Sequence, residues 1–145
     1  MKVKEVMTKV VKSLLPNMGA REALDALLNI EISGLPVIDE EGRLIGMFTE
    51  KDVLKSILPT YLESVGKFIY ADDPKGIKTK VQDLAKIKVK DIMRKDVVTV
   101  GEDTALSEVA RIMLTHKIRR MPVLNKDGKV VGIVARQDIV KGLVF

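Results

Sequence analysis

The chain has 145 residues, 46% of them hydrophobic, with a mean hydropathy of +0.11, so it can bury a core and is not a disordered segment. A net charge of +5 and a pI near 9.4 suit phosphate-bearing ligands but fall short of the focused basic stripe of a nucleic-acid binder. No cysteine is present and His116 is the one histidine, at the end of an amphipathic helix without companion ligands; disulfide frameworks, thiolate metal sites and a histidine-based catalytic or metal centre are excluded or unsupported.

No apolar stretch approaches the roughly 20 residues of a membrane span. The opening Met1-Lys2-Val3-Lys4-Glu5 lacks the layout of a signal peptide, so a soluble cytoplasmic protein is expected. Abundant Lys and Glu, with no Cys or Trp, give the composition a thermophilic character.

The chain is a duplication. Residues 1–59 align with 87–145 without gaps, and 15 of the 59 pairs are identical. Met7 falls on Met93, Pro36 on Pro122, Gly42 on Gly128, Gly46 on Gly132 and Asp52 on Asp138. We divide the chain into repeat one (1–58), a linker (59–86) and repeat two (87–145).

Each repeat opens with a short extended lead, Lys4 to Met7 or Lys90 to Met93. A second extended stretch follows, Val10–Leu14 or Val97–Val100. The first helix of repeat one is expected after an Asn17 N-cap, with Ala20, Ala23, Leu24, Leu27 and Leu28 forming its apolar stripe. In repeat two Asp103 or Thr104 caps, and Leu106, Val109, Ala110, Met113 and Leu114 form the stripe. A hairpin comes next, with turns at Asp39–Gly42 and Asn125–Gly128 whose glycines suit positive φ. Pro36 and Pro122 lack an N–H, which predicts an edge strand or a strand start. A closing helix spans Lys51–Leu58 or Gln137–Leu143. In the linker, Asp72-Asp73-Pro74-Lys75-Gly76 reads as a turn, and Tyr61, Phe68 and Tyr70 read as part of an insertion packed over a sheet edge, the alternative being an interface or a moving part. The fold class is therefore α/β: two pseudo-twofold-related repeats, each a small mixed sheet with two flanking helices. One repeat alone buries too little surface, so the two are expected to pack together.

The lead ending in methionine, the hydrophobic-Pro-Val segment and the run of Gly46 to Asp52 or Gly132 to Asp138, in this order and duplicated, closely resemble the CBS domain. The pair resembles the tandem CBS, or Bateman, module. The resemblance implies an adenosyl ligand (AMP, ADP, ATP or S-adenosylmethionine) in clefts between the repeats, a homodimer, and regulation of a separate effector protein in trans. On the residues alone, no catalysis, no cofactor and no metal is expected. The resemblance places ribose on Asp52 and a phosphate or ribose oxygen on Thr49, at a helix N-terminus that favours anions. In repeat two Asp138 is kept, Ala135 replaces the hydroxyl, and Arg136 is a candidate cationic donor. The residues ahead of Pro122, Ile118-Arg119-Arg120-Met121, would clamp phosphate through their arginines and, with Pro122, line the cleft. Their counterparts Ile32, Ser33 and Gly34 are small and uncharged, leaving room for a base or sugar. The adenine slots would use Val10, Lys12 and Ile32 in one cleft and Asp96, Val98 and Ile118 in the other. The cleft of Thr49 and Asp52 is expected to be the better formed.

Three other functions compete with this one. Nucleic-acid binding rests on the net charge and on Lys75, Lys78, Lys80, Lys86, Lys88, Lys90 and Lys95, but these are interspersed with acidic and apolar residues and no reading helix or stacking platform is evident. An enzyme lacks any P-loop, paired-carboxylate motif or activated nucleophile. A purely structural dimeric scaffold with empty clefts remains open on the strength of Ala135.

Overall fold

The structure, a computed structural model, describes residues 1–9, 12–58 and 74–144. The chain forms two compact units, one of Met1–Lys12, Ile38–Leu44 and Asp96–Phe145, the other of Ser13–Val37 and Ile45–Lys95. The units cut across the repeats. Each takes most of its body from one repeat and its lead segment from the other.

The body of repeat one contains α1 (Ala20–Ile30), β1 (Gly34–Ile38), β2 (Leu44–Thr49) and α2 (Glu50–Ile57). Ala20, Ala23 and Leu27 recur at helical spacing and are fully buried, so α1 sits with its apolar stripe on the core. Its N-cap is Gly19, which offers no side chain; the Ala20 N–H donates instead to the Ile87 carbonyl at 2.7 Å. The cap of α1 thus comes from the lead of repeat two. The helix ends on Glu31 in the left-handed region (φ 61°), and Lys117 (φ 56°) ends the matching helix in the same way. β1 and β2 form a hairpin. Leu14 adds beside Val37 in parallel, its N–H donating to the Pro36 carbonyl at 2.9 Å. Arg94 adds antiparallel to Met47 through two hydrogen bonds of 2.9 and 2.8 Å. Gly46 makes this approach possible, since a Cβ there would stand 2.7 Å from Met93 Sδ. The linker contributes α3 (Pro74–Asp83) and a 3-10 turn (Leu84–Lys86), which pack against α2 and α1 respectively and bury Leu84 in the same core. The lead of repeat two is the short helix α4 (Val89–Ile92), with Val89 fully buried.

The other unit repeats this plan. It contains β3 (Val100–Gly101), α5 (Leu106–His116), β4 (Arg120–Leu124), β5 (Val130–Ala135) and α6 (Arg136–Val144). β4 lies between a parallel β3 and an antiparallel β5, paired from Arg120↔Ala135 to Leu124↔Val130. The lead of repeat one docks here as a 3-10 turn, Val3–Glu5. The Val3 N–H donates to the Thr104 carbonyl at 2.8 Å, and the Leu106 N–H donates to the Met1 carbonyl at 3.0 Å, capping α5 from the other repeat. Thr8 exchanges two hydrogen bonds with Ile133, and Met7 covers Gly132 where no side chain would fit. Asp103 clasps the lead through Lys4 Nζ at 3.0 Å and Lys2 Nζ at 3.5 Å. Its hydrogen bond to Lys4, and then the lysine charge, hold the Asp103 carboxyl below the usual carboxylate range; the same pairing raises Lys4.

The hairpin turns behave as expected. Asp39 Oδ1 accepts from the N–H groups of Glu41 and Arg43, and Asn125 Oδ1 accepts from those of Asp127 and Lys129. Gly42 and Gly128 have φ of 85° and 78°.

Several expectations are corrected. The leads are short helical turns, not extended runs; only Thr8 and Arg94 after them pair as strands. Of the second stretches, Leu14 makes a lone bridge and a strand forms only at Val100–Gly101, while Val10 and Val11 lie outside the described residues. Neither Asn17 nor Asp103 or Thr104 caps a helix, because backbone carbonyls of the docked leads satisfy the first N–H groups. Leu28 and Leu114 are 58% and 74% exposed, at the edge of a stripe narrower than the apolar pattern. Pro122 sits in a central strand, yet β3 pairs only from Val123 onward, so no donor is missing on that side. Pro74 starts a helix rather than a turn, its absent N–H being harmless at a first helical position. The described part of the linker, 74–86, packs on α1 and α2; Tyr61, Phe68, Tyr70, Asp72 and Asp73, on which the expected sheet-edge packing rests, lie outside the described residues.

Candidate functional site

The candidate residues gather at one kind of place, the junction where the last hairpin strand becomes the closing helix. In repeat one, Thr49 is extended (φ −129°, ψ 163°) and α2 begins at Glu50. The Thr49 hydroxyl accepts from the Asp52 N–H at 3.2 Å and donates to Asp52 Oδ2 at 2.9 Å. The same oxygen accepts from the Thr49 N–H at 3.0 Å. This capping box fixes both side chains. Glu50 N–H donates to the Ser33 carbonyl at 2.9 Å, which ties Ile32-Ser33-Gly34 to the junction. Asp52 is half-buried and its second carboxylate oxygen takes no hydrogen bond among the described residues.

In repeat two the backbone is the same and the side chains differ. Asp138 Oδ2 accepts from the Ala135 N–H at 2.9 Å, so half of the box survives without the hydroxyl. Arg136 N–H donates to the Arg119 carbonyl at 3.0 Å, and its guanidinium Nε–H donates to the Ile118 carbonyl at 3.1 Å. Arg119, Arg120 and Arg136 are exposed, and Asp138 is half-buried. Each junction thus presents a positioned carboxylate able to accept from vicinal hydroxyls, next to a loop that differs in charge.

The structure brings Thr49, Asp52, Ser33 and Gly34 together in one unit, and Arg119, Arg120, Arg136 and Asp138 in the other. Ile32 is half-buried against the first core; Val98 and Ile118 are half-buried against the second. Met121 is 0% exposed and Pro122 is buried in β4, directly after the exposed Arg119 and Arg120. Lys12 and Asp96 are exposed and take no hydrogen bond among the described residues. Lys12 belongs to the unit of the second body, whereas Ile32, its expected companion, belongs to the first. Val10 lies outside the described residues. Sequence reasoning passed over Glu50, the counterpart of Arg136. The repeat alignment carried that signal, a carboxylate where its twin has a guanidinium. Among the described residues no group of His, Cys, Asp or Glu is arranged to hold a metal ion, and no helix is long and apolar enough to cross a membrane.

The CBS domain family matches residues 3–59 and 89–144. The chain is 36% identical over 150 residues to CBSX1, a chloroplastic CBS domain-containing protein of Arabidopsis thaliana, covering 96% of this chain and 62% of that one. It is 31% identical over 140 residues to inosine-5′-monophosphate dehydrogenase of Methanocaldococcus jannaschii, covering 97% of this chain but 23% of the dehydrogenase. Among solved structures, the CBS-pair protein CBSX2 of Arabidopsis thaliana superposes with a TM-score of 0.79 at 28% identity, covering 99% of this chain and 94% of that one. CBSX2 in complex with AMP gives 0.73 at 27%, covering 99% and 96%. The CBS domain pair of protein MJ0100, in complex with 5′-methylthioadenosine and S-adenosylmethionine, gives 0.68 at 26%, covering 99% of each. The chain belongs to the CBS domain family and carries two copies of that domain in tandem.

Proposed function

We propose that this chain is a non-catalytic regulatory module that binds an adenosine-containing ligand, namely AMP, ADP, ATP or S-adenosylmethionine, through the strand-to-helix junctions of its repeats. The observation that carries the reading is the pair of carboxylates, Asp52 and Asp138, each held at one oxygen by a backbone N–H and left with an acceptor for ribose hydroxyls. AMP bound to CBSX2, and 5′-methylthioadenosine and S-adenosylmethionine bound to MJ0100, support the ligand class. Occupancy would be passed in trans to a separate effector protein, and only a ligand with different affinities for two states can do so. A homodimer in the cytoplasm is part of the proposal. Leu28, Leu54, Leu114 and Val140 put exposed apolar area on helices of both repeats, consistent with such a contact.

The test is the thermal midpoint of nucleotide-stripped protein with AMP, ADP, ATP, S-adenosylmethionine and GTP. A ligand at about 100 times its Kd stabilises the folded state by roughly 2.7 kcal/mol, several degrees for a chain of this size. Adenosyl ligands should raise the midpoint and GTP should not. For a given ligand, one of the two variants Asp52→Ala and Asp138→Ala should lose the increment, judged against that variant's own ligand-free midpoint, and so identify the junction that binds it. No increment with any adenosyl ligand rejects the proposal.

A further inference from the structure

The two junctions share a backbone and differ in charge. Where the first sets Ser33, Gly34 and Glu50, the second sets Arg119, Arg120 and Arg136. The first junction therefore carries two carboxylates, Glu50 and Asp52, and among the described residues none of Ser33, Gly34, Thr49, Glu50 and Asp52 is a cation. The second holds three guanidiniums beside one carboxylate, Asp138. Lys51, adjacent in sequence to the first junction, is exposed and takes no part in that framework.

The exchange is sterically coupled. Arg120 stands opposite Ala135 across the β4–β5 ladder. Gly34 and Thr49 occupy the matching positions of repeat one, and a Cβ on Gly34 would lie 2.8 Å from Thr49 Cγ2 and 3.3 Å from the Phe48 carbonyl. A threonine and a neighbour with a side chain crowd each other at these two positions. An arginine at 120 therefore goes with a small residue at 135. The missing hydroxyl of repeat two is the counterpart of a gained guanidinium. Arg136 is moreover aimed, since its Nε–H and backbone N–H are spent on Ile118 and Arg119, while its two terminal NH₂ groups take no hydrogen bond among the described residues.

We infer that the two junctions sort adenosyl ligands by charge: the Arg119–Arg120–Arg136 junction takes a polyphosphate such as ATP, and the Ser33–Gly34–Glu50 junction takes an uncharged or cationic ligand such as the sulfonium of S-adenosylmethionine. The inference rests on the nucleotide reading above. Guanidiniums bind phosphate oxygens through charge-assisted, often bidentate hydrogen bonds. The same groups repel a sulfonium, whereas Glu50 attracts it and repels phosphate, so each junction selects by rejection as well as by attraction.

The experiment is calorimetric titration of the full chain with ATP, adenosine and S-adenosylmethionine, for wild type, R119S/R120G and E50Q. R119S/R120G should weaken ATP by about tenfold or more, leave adenosine within about twofold and not weaken S-adenosylmethionine. E50Q should weaken S-adenosylmethionine several-fold and leave ATP equal or tighter. Equal loss of ATP and adenosine in the double variant, or unchanged ATP binding, overturns the sorting while leaving the nucleotide reading intact. Wild-type protein that binds none of the three overturns the nucleotide reading and the sorting with it. The steric coupling has its own readout without ligand. Ala135→Thr should lower the thermal midpoint in the presence of Arg120 and lower it less in the R120G background; equal effects in both backgrounds overturn the coupling.

Discussion

Val3 belongs to repeat one in sequence and to the core of the second unit in space, which makes Val3→Ala a direct test of the lead exchange. The side chain is 0% exposed, packed in the cluster that includes Leu106, Val109 and Val123. The substitution removes two methyl-sized groups at about 0.8 kcal/mol each, and incomplete collapse of the space adds a cavity term, for about 2 kcal/mol in all. With an unfolding entropy of about 2.1 cal/mol/K per residue, that loss lowers the midpoint of a chain this long by roughly 6–7 °C. Calorimetry measures the shift, and hydrogen exchange locates it. Amides of Leu106–His116 and Arg120–Leu124 should exchange faster, while those of Ala20–Ile30, in the repeat that owns Val3, should not change. Val89→Ala should give the mirror result. Faster exchange confined to Ala20–Ile30 in Val3→Ala, or an unmoved midpoint, would refute the exchange.

Three further outcomes are expected. Thr49→Ala should cost about 1 kcal/mol in urea unfolding by removing one hydrogen bond acceptor of the α2 cap, and Ala135→Ser, which adds the hydroxyl without a γ-methyl, should recover about 0.5–1 kcal/mol at α6. Gly128→Ala meets no atom within 4 Å, so its cost of about 1 kcal/mol should be backbone strain alone, seen as a lower urea midpoint at unchanged m-value. Asp103 has its folded pKa lowered, chiefly by the hydrogen bond to Lys4, so the unfolded chain binds the proton more readily; its contribution is present at neutral pH and disappears as pH falls through the depressed value. Lys4, with its pKa raised, contributes until pH climbs through that raised value. The pair is exposed, so Asp103→Asn should change acid and alkaline stability only slightly, and less at high salt, in pH-dependent midpoint measurements.

The elements that rest on local chemistry were legible in the sequence. Gly42 and Gly128 marked their turns, and the closing helices begin within one residue of the expected positions, at Glu50 and Arg136. The carboxylates Asp52 and Asp138 also fell where the repeated pattern put them, each within reach of the strand end it caps. What the sequence hid was tertiary. Asn17, Asp103 and Thr104 are good capping residues by type, but a cap supplied by the carbonyl of Ile87 or Met1 leaves no local mark. Met121 and Pro122 follow two arginines in one short segment, and nothing in that segment says that Met121, Pro122 and Val123 are buried while Arg119 and Arg120, the first residue of β4, stay exposed. Glu31 and Lys117 occupy left-handed positions where glycine or asparagine is usual, so the helix ends just ahead of both candidate loops carried no sequence signal.

The exchanged leads also bear on how occupancy of a junction could reach the rest of the chain. Asp138 lies in the first turn of α6, and the same helix carries Gly142, where an added Cβ would stand 2.9 Å from Val6 Cγ1 and 2.7 Å from Leu106 Cδ1. Asp138 and Gly142 line one cavity of about 370 Å³ together with Met1, Glu5 and Val6 of the lead. A ligand that pulls on Asp138 therefore acts on a helix already fitted against a segment whose covalent continuation is repeat one. The lead is the smaller partner in that contact, a single 3-10 turn held by Val3, Val6 and Met7 on the core, two backbone bridges and exposed lysine pairs. If α6 shifts, the lead is the element with the least to lose by following it. Ligand-dependent hydrogen exchange should thus show protection changing at Val3 and Thr8, whose N–H groups bond to Thr104 and Ile133, in step with occupancy of the Asp138 junction. Protection that changes within α6 alone, with Val3 and Thr8 unaffected, would mean that the lead is a structural clasp and carries no signal.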